Sequence, residues 1–361
     1  MKILEIIPQL TFDGGAERFI VDLCNQLSLE NDVTLLVLYG PDKFPNYRDL
    51  LSSRVKTIFL NKKKGFDITI FVKIDKVINC EAPEVVHTHL RSIIYVFLSI
   101  LRRHNSIRFI HTIHSDAFLD AGKGPLKFIR KFLFKKKFCK PIVISMNGQK
   151  SFEACYGFTA DLVTNGRAIS LHLDKKIRDE VEQYRNSKET TIFVNVARIE
   201  TVKNHLLLCN SFKKFVDMGY DAQLLIIGGL FNQDIVEKIN SIDCKYIHLL
   251  GIKPDPFSYM RCCDAFCLSS IIEGMPISLI EAFAAGLIPI CTPVGGINDM
   301  IVNGKNGILS KNLSENAYEK ALEEYFTMSP QERYLMRRNS LDSYRHYTIK
   351  ACADSYLKKM Q

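Results

Sequence analysis

The sequence predicts an α/β protein made of two doubly wound, parallel-sheet domains in tandem. Three observations predict it. Short apolar runs alternate with longer amphipathic stretches along nearly all of the 361 residues. The runs are continuous in Val, Ile and Leu, which suits strands covered on both faces, as in a parallel sheet. The rhythm breaks once, in the polar stretch 165–190 (NGRAISLHLDKKIRDEVEQYRNSKET). At roughly 100–200 residues per domain, this length accommodates two.

In the first half the strands are Lys2–Ile7, Val33–Leu38, Thr57–Leu60, Val85–His87, Phe109–Ile113 and Ile142–Ile144. Helical stretches between them include Ala16–Ser28, Ile68–Asn79, Ser92–Arg103 and Pro125–Phe138. After the break, strands recur at Ile192–Val196, Leu224–Ile227, Tyr246–Leu249, Ala265–Leu268 and Ile288–Cys291, with helices at Asn204–Val216 and Ile277–Ala285 and more from Ser314 on. The β-α-β order makes each half Rossmann-like. The predicted division is 1–168, a linker at 169–190, 191–340, and a final helical segment, 341–361, with a route back to the first domain. A cleft between the two domains is expected.

With 47% hydrophobic and 24% charged residues, the chain is neither disordered, collagen-like nor a disulfide miniprotein. Lys+Arg 48 against Asp+Glu 39 gives +9, which favours anionic partners: nucleic acid, phosphate-bearing substrates or acidic membrane. The eleven cysteines form no framework and Cys262, Cys263 and Cys267 lack paired C-x-x-C knuckles, so reduced thiols in a cytoplasmic protein are expected. Glu5 and Pro8 interrupt the start MKILEIIPQL where a signal peptide needs an apolar core. The longest apolar run, Ile93–Leu101, falls far short of the ~20 residues that span a bilayer.

Ligands of such sheets sit beyond the carboxyl ends of the strands, which directs attention to the strand-to-helix loops. After the first strand comes Thr11-Phe12-Asp13-Gly14-Gly15-Ala16-Glu17-Arg18. Its two glycines let backbone N–H groups approach an anion, or simply make a tight turn. It is not G-x-G-x-x-G, which argues against a nicotinamide cofactor. After the first strand of the second half, Arg198 and Lys203 are either a solvated pair or two fixed cations suited to a diphosphate. The stretch Ser269–Ala282 places Glu273 in a Gly/Pro loop and Glu281 on the following helix. Helix-start amides there suit phosphate oxygens, and the two acids suit sugar hydroxyls; the plainer reading is a helix cap and a surface acid.

Glu273 and Glu281 together resemble the E-x7-E signature of retaining glycosyltransferase family 4, whose members adopt the GT-B fold. The resemblance extends, in the family's order, to the Gly14–Arg18 loop, the Arg198…Lys203 pair, Gly228-Gly229 and Pro293-Val294-Gly295-Gly296. It implies a nucleotide-diphospho-sugar donor, commonly a UDP-sugar, held mainly by the second domain, and a glycan or lipid-linked acceptor held mainly by the first. By position, Arg198, Lys203, Gly15 and Ser278 would bind the diphosphate, Met275 and Ile277 the donor sugar, and Glu281 the ribose. Ile252 and Lys253 would flank the base, and Glu273 and His114 would be the catalytic residues, by positioning the donor and stabilising charge. Two departures are Leu230-Phe231 after Gly228-Gly229, and Pro276, which lacks an N–H.

No cofactor and no metal are expected: there is no D-x-D, and His87-x-His89 and His111-x-x-His114 lack Cys or carboxylate partners of suitable spacing. Between Ala121 and Lys140 lie eight Lys/Arg residues and no acid. Helical projection puts Leu126, Phe128, Ile129, Phe132 and Leu133 on one side and Lys127, Arg130, Lys131 and Lys135 on the other. This is either an anionic-membrane surface, implying peripheral attachment at the inner face of the cell membrane, or a packed helix with a solvated basic face. Nucleic acid is not expected, because no aromatic stacking platform interleaves with the charge. The rivals to a glycosyltransferase of capsule, exopolysaccharide or O-antigen synthesis are a nucleotide-sugar epimerase and a non-catalytic sugar-nucleotide or membrane-binding protein of the same fold.

Overall fold

The computed structural model describes residues 1–12, 14–41, 46–122, 125–170 and 172–361. Asp13 of the first loop, and Lys123 and Gly124 of the basic stretch, lie outside the described residues. The chain forms two compact units, Met1–Arg167 with Thr348–Gln361, and Ala168–Tyr347.

In the first unit, β1 (Lys2–Ile7), β2 (Asp32–Val37), β3 (Lys56–Phe59), β4 (Val85–His89), β5 (Arg108–Ile113), β6 (Lys140–Val143) and β7 (Asp161–Leu162) form one sheet. Its order is β3-β2-β1-β4-β5-β6-β7. In the second, β8 (Thr191–Val196), β9 (Ala222–Ile227), β10 (Ile247–Gly251), β11 (Ala265–Leu268), β12 (Ile288–Cys291) and β13 (Ile308–Leu309) are ordered β10-β9-β8-β11-β12-β13. Every pairing is parallel. All of β1 except Lys2 is buried, and all of β9, β11 and β12, as strands covered on both faces require. The two-residue edge strands β7 and β13 have no apolar run long enough to announce them.

Each order reverses direction once. From β1 the chain builds outward to β3, then returns to β4 on β1's other side; from β8 it builds to β10 and returns to β11. The loops that follow β1 and β4, and those that follow β8 and β11, therefore diverge at the carboxyl end of each sheet, where open α/β sheets hold ligands.

The stretch 169–190 is not a bare linker. It carries helix Lys175–Glu182, which belongs to the second unit and is started by Asp174, whose side chain accepts from the Lys176 N–H. Only Val181 of that helix is buried, so its apolar signal is too sparse to read from sequence. The last segment also divides differently. Residues up to Tyr347 stay with the second unit, and helix Ile349–Met360 belongs to the first. Arg108 donates to the Met360 carbonyl at 3.2 Å and Lys140 to that of Lys359 at 2.9 Å, fastening this helix to the first unit. All eleven cysteines are free. Among the described residues no helix is long and apolar enough to cross a membrane.

Candidate active site

In the second unit, four loops meet at the carboxyl end of β8 and β11. The Ser269 hydroxyl, after β11, sits 3.0 Å from the carbonyls of both Lys203 and Asn204, after β8. The Ile271 N–H donates to the Val202 carbonyl at 2.8 Å. Thr292, after β12, donates to the Ser270 carbonyl at 2.6 Å. Two glycines permit the closest approaches. A Cβ on Gly228 (φ +155°) would lie 2.0 Å from the Ala197 carbonyl oxygen, and one on Gly295 (φ +51°) 1.8 Å from that of Glu273. Both positions need glycine for space and for backbone angle.

This stitching brings Lys203 and Glu273 into contact. Lys203 Nζ lies 2.6 Å from Glu273 Oε1, and the Ser270 hydroxyl donates to the same oxygen at 2.6 Å. Glu273's side chain is only 8% exposed, so the pair is shielded from water and salt. A carboxylate beside a phosphate would repel it; the Lys203 ammonium offsets the charge of this one. Glu273 is therefore no helix cap: Pro276 occupies the N-cap of helix Ile277–Ala284, whose first turn has no side-chain cap. Arg198 is held more loosely, 3.3 Å from Glu200, with both side chains about one-third exposed. Such a pair is worth about 1 kcal/mol or less, so Arg198 can be redirected at little cost.

Met275 and Ile277 are buried and Ser278 half-buried, all at or beside the start of that helix; Glu281 follows on it and is buried. Arg198, Lys203, Glu273, Met275, Ile277, Ser278 and Glu281 thus belong to one stretch of loops and helix start. Ile252 and Lys253 lie farther along, after edge strand β10. Ile252 is half-exposed, while Lys253 Nζ pairs with Glu180 Oε1 at 2.7 Å and lies 5.2 Å above the Tyr259 ring. Glu180 comes from the helix inside the expected linker, and sequence reading missed it. Burial works against its charge, but hydrogen bonds from Lys253 and Tyr259 hold its pKa below the usual range.

Gly15 and His114 lie in the first unit. Gly15 begins helix Gly15–Leu27, preceded by Gly14 with no side-chain cap, and is exposed. His114 follows β5 and is half-buried. Its Nε2 lies 2.9 Å from His89 Nδ1. Behind His89 stands a carboxylate: Glu5 Oε2 is 2.9 Å from His89 Nε2 and 3.0 Å from His87 Nδ1, and all three side chains are fully buried. The expectation that these histidines lack a carboxylate partner is therefore corrected. Glu5 is remote in sequence but neighbours β4 because β1 and β4 pair, with Glu5 opposite His87. One signal was available: an acid in the apolar strand KILEII must find partners if both faces of that strand are covered. Burial raises the Glu5 pKa, but the attraction of His87 and hydrogen bonds from His87 and His89 bring it down to about 2. Burial, with His87 nearby, lowers His89 to about 4, and burial keeps His114 well below the ordinary histidine value.

The basic helix is rotated from its expected phase. Arg130 is 3% exposed and pairs with Asp120 at 2.5 Å, so it is no part of a cationic face. Leu133 and Phe134 point into the core, while Phe128 (72%) and Phe132 (44%) are exposed. The buried stripe 130, 133, 134 has helical spacing, and the ion pair inside it turns both phenylalanines out beside Lys135, Lys136 and Lys137, all exposed.

Residues 13–167 match the model of Glycosyltransferase Family 4, and residues 176–341 that of Glycosyl transferases group 1. Over 281 residues the chain is 27% identical to an uncharacterised glycosyltransferase of Methanocaldococcus jannaschii, covering 70% of this chain and 69% of that one. It is 27% identical over 332 residues, 86% of each chain, to the N-acetylgalactosamine-N,N'-diacetylbacillosaminyl-diphospho-undecaprenol 4-alpha-N-acetylgalactosaminyltransferase of Campylobacter jejuni. The fold is that of Anabaena HepE, solved in complex with UDP and glucose: TM-score 0.83 at 15% identity, over 100% of this chain and 99% of that one. Two parallel-sheet units and two consecutive family matches define a glycosyltransferase of the GT-B fold. The chain belongs to glycosyltransferase family 4.

Proposed function

We propose that the protein is a retaining, metal-independent transferase that moves a sugar from a nucleotide-diphospho-sugar, UDP-linked, to a hydroxyl of a lipid-linked diphospho-glycan in bacterial polysaccharide assembly. The observation that carries this reading is the shielded Lys203–Glu273 pair beside an uncapped helix start, with Arg198 loosely held in the same loops. Breaking the anomeric bond builds negative charge on the departing diphosphate and positive charge on the sugar. Arg198, Lys203, Gly15 and the backbone at Ser278 would meet the first; Glu273, neutralised by Lys203 until the donor's phosphates draw that cation away, would face the second. One such preorganised group is commonly worth ~3 kcal/mol of barrier. Glu281 would accept from the ribose hydroxyls, the backbone of Met275 and Ile277 would contact the donor sugar, and Ile252 and Lys253 would flank the base. His114 would face a sugar hydroxyl. Attack on the same face by the acceptor hydroxyl retains configuration without an enzyme nucleophile.

The lipid-linked acceptor is supported by the Campylobacter relative, whose name specifies a diphospho-undecaprenol acceptor, and by the exposed Phe128 and Phe132 beside Lys135–Lys137. Apolar rings with flanking lysines suit the surface of an anionic bilayer, each cation adding about 1 kcal/mol. The protein would then work at the cytoplasmic face of the membrane, without nucleic acid. The test is a panel of nucleotide sugars with undecaprenyl diphospho-glycans in anionic vesicles and EDTA, monitored for nucleotide diphosphate release. A UDP-sugar consumed only when acceptor is present, with EDTA harmless and the anomeric configuration kept, is the expected result. Conversion of the donor without acceptor would replace this reading with an epimerase, and abolition by EDTA would remove metal independence. The vesicles should also pellet the protein at low salt and release it at high salt; no pelleting at any salt would remove the membrane reading.

A further inference from the structure

The buried polar chain behind His114 has a direction, and Glu5 sets it. Among the described residues no Lys or Arg pairs with Glu5; its carboxylate faces the two imidazoles, at 3.0 and 2.9 Å. An ionised carboxylate only accepts hydrogen bonds, so His87 Nδ1 and His89 Nε2 must both carry protons. A neutral imidazole then has one bare nitrogen left. The other nitrogen of His87, Nε2, lies 2.8 Å from the Thr112 hydroxyl, and that oxygen lies 3.0 Å from the hydroxyl of buried Tyr356. For His89 the bare nitrogen is Nδ1, so its partner at 2.9 Å, His114 Nε2, must be the donor. The links from Glu5 through His89 to His114 have a consistent sense.

We propose that Glu5 and His89 are positioning residues that fix the proton of His114 on Nε2 and leave its Nδ1 as a bare acceptor for a sugar hydroxyl. The inference rests on the assignment of His114 to the donor site. A neutral histidine in this tautomer orients a hydroxyl by accepting its proton in a hydrogen bond, and the anion two rings away makes that nitrogen a stronger acceptor. The opposite tautomer would present an N–H and orient the same hydroxyl through its oxygen. The three side chains Glu5, His87 and His89 also place potential metal-ligand atoms within 4.8 Å of one another. The hydrogen-bond reading is favoured because each ring nitrogen of His87 and His89 already has a hydrogen-bond partner.

The test begins on the wild-type protein, which needs no mutant to fold. Long-range nitrogen–proton NMR of 15N-histidine-labelled protein at neutral pH, with the His114 signals identified by their loss in His114→Ala, should show Nε2 protonated and Nδ1 bare. A proton on Nδ1, or an averaged mixture, overturns the relay, as does stoichiometric metal in the purified protein. A matched pair of variants then tests its use. His89→Asn puts an amide oxygen near the Nδ1 position and should keep kcat within about threefold. His89→Gln puts its amide near Nε2 and should lower kcat ~10–100-fold, with the donor KM little changed. Equal loss in both variants, with the fold intact by circular dichroism, overturns the positioning role. Unchanged turnover in His114→Ala would instead overturn the assignment of His114 to the donor site, an outcome separable from the tautomer.

Discussion

The two units place charge in opposite ways. In the first, a carboxylate and its histidines are built into the middle of the sheet, fully buried, and ordered by which atom carries each proton. In the second, the charged groups sit in loops beyond the sheet and form ion pairs of graded exposure, from the 8% of Glu273 to the third of Glu200. Buried groups are held by their partners' protons and change only with pH; loop ion pairs can be exchanged for a ligand's charges. The first arrangement suits orientation of a neutral group, and the second suits capture and release of a phosphate.

The sharpest way to break this contrast is at the shielded pair. Glu273→Ala and Lys203→Ala should each lower turnover ~10²–10³-fold while circular dichroism and thermal unfolding stay close to wild type. The two contact each other at 2.6 Å, so the double variant should be little worse than either single one. Multiplied losses in the double variant would mean that the residues act separately and that their contact is incidental.

A second test separates buried from exposed pairs within the first unit. Arg130 and Asp120 are both less than 10% exposed in their side chains and lie 2.5 Å apart. Removing Arg130 leaves buried Asp120 with only the His111 imidazole, 3.7 Å away, as an ionisable partner among the described residues, so Arg130→Ala should cost about 3–5 kcal/mol in chemical denaturation. If Arg130→Ala lost vesicle binding at full stability, the basic helix would have the phase that its sequence suggests, and the burial of Arg130 would be wrong.

Acid offers a third. His89 is lowered to about 4, and His111 and His114 are lowered too, all chiefly by burial. The unfolded chain takes up these protons from about pH 6.5 downward while the folded chain refuses them, so stability is complete above that pH and falls as pH drops toward 4. Glu5, lowered to about 2, adds a further loss between about pH 4.5 and 2, because its charged form is the one the fold stabilises. For His89 alone the loss is on the order of 3 kcal/mol. In the second unit only His205, to about 4, and His248 move the same way. Hydrogen exchange at pH 4.5 should therefore show β1, β4 and β5 losing protection before β8 and β11. The reverse order would place the acid-sensitive centre in the other unit.

The same contrast explains what the sequence disclosed. Arg198, Lys203, Glu273 and Glu281 were legible because each lies in, or one or two turns beyond, a strand-to-helix loop, and short spacings mark such loops. Their pairing was not: Lys203 and Glu273 are 70 residues apart, and only the adjacency of β8 and β11 joins them. Glu5 is 82 residues from His87 and 84 from His89, so its acid in an apolar strand signals a need for partners without naming them. The phase of helix Pro125–Lys135 was misread for a related reason. A projection that sorts residues into apolar and charged cannot foresee that an arginine is buried against an aspartate while two phenylalanines face outward.

The smallest expected effect completes the contrast. Glu200 touches Arg198 at 3.3 Å with both side chains about one-third exposed, and such pairs contribute little once side-chain entropy and screening are counted. Glu200→Ala should change unfolding stability by less than about 0.5 kcal/mol. It also frees the guanidinium, so affinity for nucleoside diphosphate should rise slightly, by up to about threefold at low salt, and the gain should fade as ionic strength shortens the reach of the charge. Arg198→Ala at the same stability should weaken that affinity instead. If both variants left binding unchanged by calorimetry, Arg198 would be a solvated surface cation, and the diphosphate would rest on Lys203 and the helix start alone.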